Sequence, residues 1–167
     1  MRKNLNKILL FILLTFQNTL ISQIDTVFWF AAPWVTVGHS GNKPVLLRIS
    51  TFSSPTVVRV RQPAGTYDTT FTIAPNSLFS KSLSHIISSI ENTPANTILN
   101  RGLKISSNNP ITVVYDILTQ GYNPETYSMK GQNGLGLEFL CPFQTKSNNS
   151  VNPVPTPKSQ IDIVATQ

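Results

Sequence analysis

From Asp25 onward the chain breaks into short runs of β-branched and aromatic residues, each ended after a few positions by Gly, Pro, Asn or Ser. That punctuation leaves little room for long helices and favours strands joined by tight turns, as in sandwiches and barrels. The founding run, Asp25-Thr26-Val27-Phe28-Trp29-Phe30-Ala31-Ala32-Pro33, reads as a strand over 26–32 closed by the proline. Further strands are expected over 45–51, 56–62, 69–73 and 78–83. Within 56–62, Thr56, Val58 and Val60 share one side and Val57, Arg59 and Arg61 the other, the alternation of a sheet with one dry and one wet face. Phe71 and Ile73 point inward by the same rule. One short helix is expected after Ser84, placed to cap a turn and a half carrying His85, Ile86, Ile87 and Ile90 before Asn92-Thr93-Pro94 ends it. So short a helix depends on packing, and its expected role is to cover an open end of the sheets. Strands then follow over 102–106, over 111–117 after the turn Asn108-Asn109-Pro110, over 126–129 and over 137–141. Residues 111–117 are the most β-prone and belong at the centre. The fold class is all-β, an antiparallel β-sandwich with one short helix.

The 167 residues divide unevenly. Arg2, Lys3 and Lys7 precede an uncharged apolar run over 8–16, and Gln17-Asn18-Thr19 breaks it before Leu20-Ile21-Ser22, the layout of a secretory signal peptide over 1–22. A membrane span needs about 20 apolar residues, well beyond this run, so no span is expected after cleavage. The chain is therefore expected to be secreted or displayed at the cell surface. The sandwich occupies 23–144, a Ser, Asn, Pro and Lys-rich linker or long loop 145–160, and the start of a further, incomplete β unit 161–167. The last assignment rests on an echo. Phe30-Ala31-Ala32-Pro33 aligns with Phe139-Leu140-Cys141-Pro142, and Ile49-Ser50-Thr51 with Val164-Ala165-Thr166. On this reading the chain is the front of a longer protein.

Charge narrows the partners. Without the leader's three cations, the +6 balance falls to +3, ten bases against seven acids. The remaining Lys and Arg are scattered; only Arg59 and Arg61 form a pair on one strand face, so no nucleic-acid partner is expected. Cys141 is the sole cysteine, which rules out an intrachain disulfide, and it is expected to sit as an apolar residue on the strand between Leu140 and Pro142.

No reaction is displayed. Gly38-His39-Ser40-Gly41-Asn42 lacks the second glycine of a nucleophile elbow and reads as a loop. His39 and His85 with one Cys offer no zinc spacing, and neither a calcium loop nor a phosphate loop occurs. No metal or cofactor is expected. Asp116 and Glu125 could meet across a hairpin, which keeps open the alternative of a fragment of a secreted carbohydrate-active enzyme. Among the aromatics, Phe28 and Phe30 share the core face, which leaves Trp29 on the other. Trp34 follows Pro33 in a loop, and Tyr122 sits in another. Trp34, Trp29 and Tyr122 are the candidate binding residues, with an extracellular glycoprotein or glycan as the partner class.

Beyond single motifs, the leader, Phe28-Trp29-Phe30-Ala31-Ala32-Pro33, Leu47-Arg48-Ile49-Ser50-Thr51, Asn100-Arg101-Gly102-Leu103-Lys104-Ile105 and Lys130-Gly131-Gln132-Asn133-Gly134-Leu135-Gly136-Leu137-Glu138-Phe139 form a set. Together they resemble the N-terminal domain of IgGFc-binding-protein-like proteins, found at the start of large exported bacterial surface proteins. The resemblance implies an extracellular all-β module at the head of an adhesin-like or mucin-like protein, here a truncated copy. It transfers no ligand residues. The expected function is that of a secreted, non-enzymatic binding or adhesion module of a cell-surface protein.

Overall fold

A computed structural model describes residues 23–34, 45–118, 124–141 and 161–166. The leader over 1–22, the loop at 38–42, Tyr122 and the linker over 145–160 lie outside the described residues. The architecture is all-β and antiparallel. Seven strands form one sheet: β1 (Ile24–Phe30), β2 (Val45–Thr51), β3 (Thr56–Arg61), β4 (Asp68–Ile73), β5 (Leu78–Ser82), β6 (Leu103–Ile117) and β7 (Glu125–Ser128). A 3-10 turn at Ser84–Ile86 runs into a single four-residue helix, α1 (Ile87–Ile90).

β6 is the spine. Along one edge its N-terminal half pairs with β3 and its C-terminal half with β2; along the other edge it pairs first with β1 and then with β7. β4 continues outward from β3 and β5 from β2. The sheet curls so that its two halves face each other and supply the two layers. At the far side the outermost strands meet through side chains: the Phe71 and Phe79 rings lie 4.7 Å apart, and Lys81 Nζ stands 5.8 Å from the Phe71 ring.

The core is built from the inward positions of every strand. Phe28, Val45, Leu47, Ile49, Val58, Val60, Leu103, Ile105, Ile111 and Tyr115 are fully buried. Each large side chain withdrawn from water contributes about 1.5–3 kcal/mol before conformational entropy is counted. Two buried polar side chains are tied down. Thr51 Oγ1 donates to Ala74 O at 2.6 Å and accepts from Ser77 N at 3.1 Å, fastening the β4–β5 turn to the end of β2. Gln62 Nε2 donates to Ser89 O at 2.7 Å and so joins the end of β3 to α1.

Helix α1 packs on the core through Ile90, which is fully buried. Ser84 does not cap it, contrary to expectation: no side-chain cap bond forms, and Ser84 Oγ accepts the Val45 amide at 3.0 Å instead. The start of β2 offered a buried amide needing a partner, and the hydroxyl serves that need.

Two other expectations fail for one reason, the difference between β propensity and an available pairing edge. Asn108-Asn109-Pro110 does not turn the chain; β6 runs straight through it. Opposite this stretch β1 shifts register between Asp25 and Val27, so the proline, which has no amide to give, falls in a bulge. The asparagine side chains restore what the ladder loses: Asn108 Oδ1 accepts from Val57 N at 2.8 Å, and Asn109 Nδ2 donates to Pro55 O at 2.9 Å. Conversely, residues 137–141 form no strand. Leu137, Phe139 and Leu140 stand exposed, and Cys141 is exposed as well rather than packed on a strand. The preceding 3-10 turn (Gly131–Gly134) leads the chain off the sheet.

That turn is anchored by Asp25, whose Oδ2 accepts from Gln132 N at 2.7 Å. Gly131 has φ +56, and a Cβ there would fall 2.5 Å from the Asp25 side chain, so glycine is required both for conformation and for space. Residues 161–166 form no regular element and lie against the domain. Asn92 Nδ2 donates to Asp162 Oδ1 at 3.0 Å, and Val164 Cγ2 would lie 2.7 Å from a Cβ built on Gly102.

Candidate ligand-binding face

Residues directly opposite on antiparallel neighbours project to the same side of a sheet, so the register maps the outer surface. Trp29 on β1 pairs with Lys104 on β6, Lys104 with Arg61 on β3, and Arg61 with Asp68 on β4. One row across four strands therefore reads Trp29, Lys104, Arg61, Asp68, about 14 Å from end to end at the usual strand spacing. The adjacent row reads Val27, Ser106, Arg59, Thr70. Three cations, one carboxylate, one indole and two hydroxyl side chains occupy this patch.

Its charges are unequal in their freedom. Arg59 holds Asp68 in a two-bond pair, Nε to Oδ1 at 2.8 Å and Nη2 to Oδ2. This hydrogen bonding, with smaller contributions from the charges of Arg59 and Arg61, holds the Asp68 carboxyl below its ordinary range, and it raises Arg59 in turn. Both side chains are about half exposed, so water screens the pair. Arg61 and Lys104 have no ion pair among the described residues. Lys104 Nζ instead stands 4.9 Å from the Trp29 ring centroid, a cation–π contact that fixes where the ammonium sits.

Of the sequence candidates, Trp29 lies in this patch, half-buried on the face opposite Phe28. Trp34 is 44 % exposed just past the bridge between Ala32 and Glu91. No ring contact among the described residues joins Trp34 to Trp29, and Tyr122 is outside the description. Lys104 escaped notice as a site because its sequence neighbours are uncharged, and Arg61 stood out only as the strand-mate of Arg59. Only the β3–β6–β1 order sets them side by side.

The two carboxylates considered for glycoside chemistry part company. Asp116 opposes Thr126, accepts from its hydroxyl at 2.8 Å and is paired with Arg48 Nε on the outer face. Glu125 opposes the buried Ile117, so it projects to the other side, where it accepts from the Tyr127 hydroxyl. They do not flank one cleft. On the inner side Phe30, Tyr115 and Tyr127 form an aromatic trio with ring centroids 4.6 to 6.4 Å apart. Burial, aided by Glu91 and Tyr127, pushes the Tyr115 hydroxyl far above its usual range, and burial with the Glu125 hydrogen bond does the same to Tyr127.

A shallow groove of about 300 Å³ beside the β2–β3 turn is lined by Ile24, Phe52, Asn109 and Pro110 among others, with no charged group. Among the described residues, no cluster of three or more His, Cys, Asp or Glu could hold a metal ion. Nor is any described helix long and apolar enough to cross a membrane.

No family model matches the chain, and no curated protein matches it. A crystal structure of Thermotoga maritima 1070 is similar over 66 % of this chain and 97 % of that one, with a TM-score of 0.44 at 11 % identity. At that level the likeness carries no functional argument.

Proposed function

We propose that this chain is an exported, non-enzymatic binding module of a cell-surface protein, of the kind that heads IgGFc-binding-protein-like proteins, and that it contacts its ligand across the β1–β6–β3–β4 face. The observation that supports this reading is the row Trp29–Lys104–Arg61: an indole and two cations that form no close ion pair among the described residues, held on adjacent strands of one sheet. Cations in such numbers on one side of a sheet are not needed for folding, since exposed charges contribute little to stability. Placed on strands and not on a loop, they keep a fixed spacing, which lowers the entropic cost of engaging a ligand.

The test is a glycan and glycoprotein array probed with the full chain and with the Trp29→Ala/Lys104→Ala double variant. Binding by the parent chain that falls in the variant, with circular dichroism unchanged, is the expected result. A chain that binds nothing on the array, or whose variant binds equally well, would defeat the proposal.

A further inference from the structure

Granting that this face binds a ligand, we infer that the ligand is an anionic polysaccharide, a sugar polymer bearing carboxylate or sulfate groups, held through Lys104 and Arg61. The two side chains oppose each other on neighbouring strands, with the Lys104 ammonium on the Trp29 side, so they can meet successive anionic groups of one polymer. Arg61 brings a planar fork suited to the paired oxygens of a carboxylate or sulfate, and Lys104 brings a point charge. The indole beneath Lys104 restricts the ammonium, so less freedom is lost on binding. Ser106 and Thr70 in the next row add hydroxyls that can exchange hydrogen bonds with sugar hydroxyls. The surface is the outer side of a sheet and not a closed pocket, which suits a chain lying across it.

Other polyanions fit less well. Single-stranded nucleic acid is held by successive bases stacked on open aromatic faces, whereas Trp29 is the one aromatic of the two rows and Lys104 stands over its ring. A protein partner would be anchored by a desolvated apolar centre. The two rows offer only Val27, half-buried at one end.

Asp68 gives the inference a direction that a structural role would not. It is the only acid in the two rows, and it occupies Arg59. Asp68→Asn therefore removes a repelling charge and frees a third cation. The full chain is titrated with dextran sulfate, a polyuronate, neutral dextran, single-stranded DNA and polyglutamate, at low and high salt. Binding to one or both acidic polysaccharides, weakening with salt, is expected. Lys104→Gln and Arg61→Gln should each weaken it about fivefold, and Asp68→Asn should strengthen it by a similar factor. The sulfated and carboxylated arms show which anion is preferred, and either supports the inference.

Binding to neutral dextran that Trp29→Ala abolishes, with no preference for the acidic polymers, would overturn the inference while leaving the binding module intact. DNA or polyglutamate bound as tightly as the acidic polysaccharides would also overturn it. Absence of binding to every polymer overturns it too, and the array then decides the fate of the broader reading. All four positions are half-buried or exposed, so loss of fold is not expected, and circular dichroism checks this.

Discussion

Tyr115 is fully buried, yet its hydroxyl has no hydrogen-bond partner among the described residues. Burial favours the neutral phenol, so the folded pKa lies above the ordinary value of 10. Below pH 10 both the folded and unfolded states keep the proton, and this group's contribution to stability is complete. As the pH rises past 10 the unfolded chain ionises first, and stability declines toward the raised folded value. Tyr115→Phe should leave stability at neutral pH unchanged or raise it by up to about 1 kcal/mol, and should lessen the alkaline loss. Tyr127 and Tyr67, shifted in the same direction by burial, sustain the remainder. Urea midpoints at neutral pH and at about pH 11 measure both effects. Arg48 presents the opposite case, since its partner Asp116 is nearly buried and would stay behind on truncation, with Thr126 its remaining donor among the described residues. Arg48→Ala should cost about 1–3 kcal/mol by urea denaturation, more than Thr126→Val.

At the level of elements, the joint between β1 and the turn after β7 depends on a glycine. Gly131→Ala introduces a Cβ at positive φ against Asp25, and should cost about 1–3 kcal/mol while speeding amide exchange at Gln132. The bulge in β6 offers a milder test. Replacing both Asn108 and Asn109 with Ala removes two side-chain bonds, one to the start of β3 and one to the β2–β3 connection, and should cost about 1–2 kcal/mol. The strand runs of β1 to β5 and the inward set Phe28, Val58, Val60 and Ile73 were legible because alternation is a local property. Partners are not local. Asn108-Asn109-Pro110 carries strong turn chemistry, yet β6 is paired before it, through Ser107, and after it, from Ile111, and the two asparagine side chains bridge the gap. Leu137 to Cys141 has apolar content but no edge to join. The candidate site was half legible in the same sense: Trp29 announced itself, while its neighbours Lys104 and Arg61 came from distant stretches that only the sheet order unites.

Across the whole molecule, curvature is maintained where the sheet does not close. β4 and β5 share no ladder, and the contact of Phe71 with Phe79 draws them together. A double-mutant cycle on Phe71→Ala and Phe79→Ala should return a coupling of about 0.5–1.5 kcal/mol in thermal or urea unfolding. Independent effects would mean that the halves are held only by the shared core. The centrality of β6 also has a consequence in time. During synthesis β1, β2 and β3 leave the ribosome before the strand to which all three must pair has been made. Only the β3–β4 hairpin and the β2–β5 pairing are available earlier, so most of the nascent domain must wait, extended and with open edges. A chain that cannot complete the pairing of three of its strands until β6, which ends at Ile117 of 167 residues, has been made stays partly unpaired and threadable for longer.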